Sequence, residues 1–187
     1  MKMMNELERE ECFVAHALPY YDYADAVTMR NTLEAMNFFK APASSRFHCS
    51  YEGGLFDHSL NVYTALRDLT RYNSLQWERP ESPFIIGMFH DLCKVDDYIK
   101  QPDGTYIRNT NSLYSGHGDK SLIYLHNLMV YPTDEELACI RYHMGSFTEK
   151  EEWSKYTGAI HQYPNVFWTH AADMIATHIK EERDEQD

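Results

Sequence analysis

The sequence predicts a mainly α-helical domain that carries one short β-hairpin. Apolar residues recur at helical spacing in several separate segments, and proline, glycine and capping signals punctuate them. One further stretch alternates on both sides of a Pro-Asp-Gly turn.

From Tyr23 to about Phe39, the apolar positions Val27, Met29, Leu33, Met36 and Phe39 follow the helical period. Ala41 to Gly54 holds Pro42, Ser44, Ser45 and the Gly53-Gly54 pair, and reads as a loop. Leu55, Leu60, Val62, Leu66 and Leu69 then form the stripe of a helix from about Leu55 to Tyr72. Pro80 and Pro83 open a third helix, because proline is tolerated in a first turn. Its segment Phe84 to Leu92 is apolar enough to be buried on most sides, which makes it the central helix. Asp96 to Thr110, around Pro102-Asp103-Gly104, predicts the hairpin. Ser115 to Val130 reads as a fourth helix with Leu122, Leu125 and Met129 facing the core. Thr133 and Glu136 form a capping box for a fifth, which Gly145 can end. Lys150 to His161 predicts a short helix. Pro164 starts the last, carrying Val166, Phe167, Ala171, Met174, Ile175 and Ile179 toward the core. The acids from Glu181 to Asp187 read as a frayed, solvated tail.

A chain of 187 residues fits one domain, 1–187, and can bury enough surface to fold without a disulfide or structural metal. Its 43% hydrophobic and 25% charged residues place it among folded chains rather than disordered ones. The net charge of −12 repels long phosphate polymers and anionic membranes, so extended nucleic acid is a poor partner. The four cysteines contain no C-x-x-C pair and read as reduced thiols. MKMMNELEREE has no apolar signal core, and no apolar run approaches the ~20 residues that cross a bilayer. A cytoplasmic location is the expectation.

Chemistry is signalled by placement. His58 follows the Gly-Gly loop, His90-Asp91 ends the most apolar segment, His117 starts the fourth helix, His143 lies near the end of the fifth, and Asp173 lies in the last. An unpaired carboxylate at the end of a buried helix costs several kcal/mol, on the order of that of any isolated buried charge. The Phe84 to Phe89 run offers no arginine, whereas a divalent cation ligated by imidazoles and carboxylates satisfies every group. Neighbouring helical residues diverge by about 100°, so both can face one ion only if it lies between their directions, which favours a site at the helix end over one on its flank.

The order His58, His90-Asp91, Asp173, with His117 and His143 between, resembles the HD superfamily of metal-dependent phosphohydrolases. GGLFDHSLNV is similar to that family's GGL-x-x-HS segment, FHDLCK to its HD-x-x-K, and ADMIAT to its closing aspartate helix. Cys93 stands where the family often has glycine. The resemblance covers roughly residues 46 to 179 and leaves an N-terminal helical extension outside it. It implies an all-α HD-domain helical bundle in which His58, His90, Asp91 and Asp173 bind a first metal, Asp91 bridges to a second, and His117 and His143 complete that second site. Histidine and oxygen donors suit Mn, Fe, Co, Ni or Zn, as one or two ions, and a bound ion supplies hydroxide near neutrality. Lys94, Lys120 and Arg46 are placed to hold phosphate oxygens, and His48 to contact substrate or protonate a leaving group. The reading is a phosphohydrolase acting on a small phosphate ester such as a nucleotide. Its alternatives are a di-iron oxygenase, a nonenzymatic nucleotide-binding sensor and a 3′ exonuclease on single strands. His126 points to a different face from His117, and His170 reads as a supporting or core residue.

Overall fold

Asn5 and Glu8 exchange side-chain and backbone hydrogen bonds, a capping box that starts α1 (Glu6–Ala17). The computed structural model describes residues 4–181, so most of the expected frayed tail, residues 182–187, lies outside the described residues. Asp22 caps α2 (Tyr23–Ala35), which ends before the expected Phe39 because Asn37 turns left-handed at φ 70°. Phe38 and Phe39 are nevertheless buried, as loop residues. The stripe over Leu55 to Tyr72 becomes α3 (Gly54–Asn73).

The third helix is α4 (Ser82–Phe89), every residue of it buried and Pro83 in its first turn. The expected continuation to Leu92 is broken. Asp91 leaves helical geometry at φ −110° and ψ 22°, and a 3-10 turn, Leu92–Val95, follows. The hairpin pairs β1 (Tyr98–Lys100) with β2 (Tyr106–Arg108) antiparallel, Ile99 opposite Ile107, and forms the one sheet among the described residues.

Then come α5 (His117–Leu125), α6 (Asp134–Arg141), α7 (Trp153–Gln162) and α8 (Asn165–Ile175). A 3-10 turn and the left-handed Met129 replace the end of the expected fourth helix, so Met129 is exposed rather than in the core. The Thr133–Glu136 box caps α6 as read. The core face of α8 is Val166, Thr169, Ala172 and, beyond its end, Ala176. Phe167 and Ile179, expected inside, are about half exposed. A π-helical turn, Ala176–Glu181, continues from α8.

The core is aromatic. Phe13 of α1 packs within 6.2 Å, ring centre to ring centre, of Phe39, Phe84 and Phe89, so the N-terminal helix joins the same hydrophobic cluster as α4. Arg9 donates to both oxygens of Asp57 at 2.9 Å and ties α1 to the first turn of α3. Two helix crossings then set distances around the neighbouring histidines. At Gly87 a Cβ would overlap the backbone of Tyr63, so α4 lies directly on α3. At Gly118 it would overlap the backbone of Arg141, so α5 lies directly on α6. Gly87→Ala is therefore expected to cost about 1–3 kcal/mol as the helices separate. A lowered denaturant midpoint at unchanged slope is the readout, and a variant as stable as the parent would show the crossing to be slack.

No disulfide joins the four cysteines. No helix among the described residues is long and apolar enough to cross a membrane.

Candidate metal centre

Three buried histidines share one arrangement. The Nδ1 of His90 donates to the Gly87 carbonyl at 3.0 Å and that of His143 to the Ile140 carbonyl at 2.7 Å. Since a carbonyl only accepts, each Nδ1 carries the proton and each Nε2 is left with its lone pair. His58 Nδ1 likewise faces an acceptor, Glu181 Oε1, at 2.9 Å. All three Nε2 atoms are buried with no hydrogen-bond partner.

Those nitrogens converge on two carboxylates. His58 Nε2 lies 3.4 Å from Asp173 Oδ1 and 3.6 Å from Asp91 Oδ2. His90 Nε2 is 3.5 Å from the same Asp91 oxygen. The other Asp91 oxygen faces His143 Nε2 at 3.5 Å and His117 Nδ1 at 3.7 Å. Asp91 thus presents one oxygen to each of two histidine pairs. Four overlapping groups, His48-His58-Glu181, His58-His90-Asp91, His90-His143-Asp173 and Asp91-His117-His143, could each hold a metal ion. Orphaned imidazole nitrogens beside ionised carboxylates in a buried pocket are the donor set a divalent cation requires, so the residues fit one.

Electrostatics point the same way. Burial disfavours the charged form of Asp91, yet Lys94 and His90 outweigh it and hold the carboxyl well below its usual range. Asp173 is also pulled down, against burial, chiefly by the neighbouring His58 imidazole. Burial lowers His90 to about 4, despite the attraction of Asp91. For His58 burial is overcome by the carboxylates of Asp173 and Glu181, which raise it to about 9.

The remaining predicted site residues fall in three places. Lys94 is buried with its Nζ 2.6 Å from Asp91 Oδ2, inside the cluster. His48 packs its ring 5.0 Å from that of His58, and burial, then the charges of His58 and Lys94, lower it to about 4. Lys120 is not a free cation: it is 2% exposed and lies 2.5 Å from both Asp96 and Asp97. Arg46 is exposed and takes part in no ion pair among the described residues. His126 is exposed, and His170 Nδ1 meets the His143 carbonyl at 2.9 Å, in keeping with a supporting position.

Sequence reasoning missed Glu181. Its place at the head of a run of acids signalled a solvated end, but it is 4% exposed. Cys93 also comes close, its Sγ 3.3 Å from His117 Nδ1, while its backbone N–H donates to Ser121 Oγ. Beside His117 opens a cavity of about 300 Å³ lined by Cys93, Arg108, Asn109, Ser112 and Tyr114, among others.

Over 70 residues the chain is 34% identical to the dihydroneopterin 2′,3′-cyclic phosphate phosphodiesterase of Methanocaldococcus jannaschii. The match takes in 36% of this chain and 28% of that protein. No family model and no solved structure matches the chain.

Proposed function

We propose that the chain is a metal-dependent phosphohydrolase of the HD type, acting on a small phosphate ester. The observation that carries this reading is the set of three partnerless Nε2 atoms, on His58, His90 and His143, aimed at Asp91 and Asp173. The partial likeness to a protein named as a cyclic-phosphate phosphodiesterase supports the same chemistry.

In this reading His58, His90, Asp91 and Asp173 would hold one divalent transition-metal ion, and His117 and His143 with Asp91 would hold another. Such ions polarise a phosphoryl oxygen and lower the pKa of water to about 7. The Lys94 ammonium, 2.6 Å from Asp91, would hold a phosphate oxygen. His48, held neutral by burial, is suited to hydrogen-bond the leaving oxygen. Lys120 lines the same cavity, where its ammonium is paired with Asp96 and Asp97. Arg46 is exposed toward solvent, where it can meet an incoming anion. The cavity beside His117 receives the organic part of the ester, with Asn109, Ser112 and Arg108 as its polar lining.

The test is hydrolysis of phosphomonoesters and 2′,3′-cyclic phosphodiesters with manganese, cobalt or nickel added, and again with a chelator. Turnover of at least one ester that the chelator abolishes is expected. Metal-loaded protein inactive on every ester would overturn the reading, and oxygen consumption by an iron-loaded sample would favour the oxygenase instead.

A further inference from the structure

We infer that Glu181 is the positioning residue for His58, a carboxylate that fixes which imidazole nitrogen meets the cation; this rests on the metal-dependent reading above. The two side chains are 1% and 4% exposed and 123 positions apart, and they meet at 2.9 Å. Asn61, one turn along α3 from His58, donates to the same Oε1 at 3.2 Å and holds the carboxylate in register. Burying a carboxylate is costly unless it is compensated. Among the described residues no lysine or arginine forms an ion pair with Glu181, so the His58 N–H and the Asn61 amide are the donors that compensate its burial.

The three buried histidines are thereby distinguished. His90 and His143 lean on backbone carbonyls, which any residue at Gly87 or Ile140 would supply. His58 leans on a charged side chain, the arrangement that orients a ligating imidazole and raises its basicity. The π-helical turn Ala176–Glu181 follows directly on the helix that carries Asp173, so one continuous segment brings a carboxylate to each nitrogen of the His58 ring. Glu181 therefore acts through His58 and not on the substrate.

The experiment is a cobalt(II) titration followed by visible absorption in the parent protein, Glu181→Gln and Glu181→Ala, with thermal unfolding of each metal-free protein as a check on folding. Affinity is expected to fall about 10–100-fold in Glu181→Ala. A smaller fall is expected in Glu181→Gln, whose amide oxygen still accepts the Nδ1 proton without the charge. Equal affinity in folded parent and variants would overturn the inference, whereas a parent that binds no cobalt would overturn the metal-dependent reading itself. A readout that needs no variant is nitrogen NMR of the zinc-loaded parent. His58 is expected to show a protonated Nδ1 and a metal-bound Nε2, and the opposite pattern would overturn the role of Glu181.

Discussion

Asp91→Asn is expected to abolish cation binding and, with it, hydrolysis. Its two oxygens are the common neighbour of His58, His90, His117 and His143, all within 3.7 Å, so among the described residues no other single side chain touches as many candidate ligands. Residues that only orient ligands cost about 10–100-fold when changed, and a shared ligand should cost more than about 100-fold. The amide also leaves Lys94 buried without a counter-charge, a loss on the order of 3–5 kcal/mol. The two effects separate in Asp91→Asn/Lys94→Met, which removes both charges. This double variant should regain much of the stability and none of the metal. Bound metal counted per chain and the unfolding midpoint together decide it; a stable double variant that still turned over substrate would deny Asp91 its place.

The second large effect is on stability. A cation at about 100 times its dissociation constant adds about 2.7 kcal/mol to the native state, which for a chain of this size raises the unfolding midpoint by roughly 5–11 °C. Metal-free protein should be the less stable form and also the more sensitive to pH. His58 is raised to about 9, so the stability it contributes is present below about 6.5 and lost as pH rises through 9. His48 and His90 are lowered to about 4, so stability falls as pH drops from about 6.5 toward 4, where both must charge. Unfolding midpoints across pH 4–9, roughly the span of these shifts, should trace a dome for chelated protein. Identical midpoints with and without added cation would sink this expectation.

Much of the architecture was legible where local physics is decisive. Pro83 and the unbroken apolar run marked α4, Pro102-Asp103-Gly104 marked the hairpin, and Thr133 with Glu136 marked the start of α6. The ends were less legible, because they depend on single backbone choices: Asn37 and Met129 turn left-handed, and Asp91 breaks out of the helix. The start of α1 carried a readable signal in Asn5 and Glu8 that the hydrophobic pattern alone does not highlight. At the candidate centre, His58, His90, Asp91, His117, His143 and Asp173 do come together. Glu181 could not have been picked out, since its acidic surroundings signal exposure and only a partner far along the chain makes it buried. Lys120 shows the converse: its nearness to His117 in sequence placed it to hold phosphate oxygens, while its pairing with Asp96 and Asp97 carries no signal in the local pattern.

The span between His58 and Glu181 has a kinetic corollary. Closing a loop of 123 residues is an entropic step that local helix formation cannot anticipate, and the remaining donors are also scattered along the chain. The cradle therefore comes into being only when the segment that carries Asp173 and Glu181 docks against His58, so a cation held there would be captured after that docking and not before it.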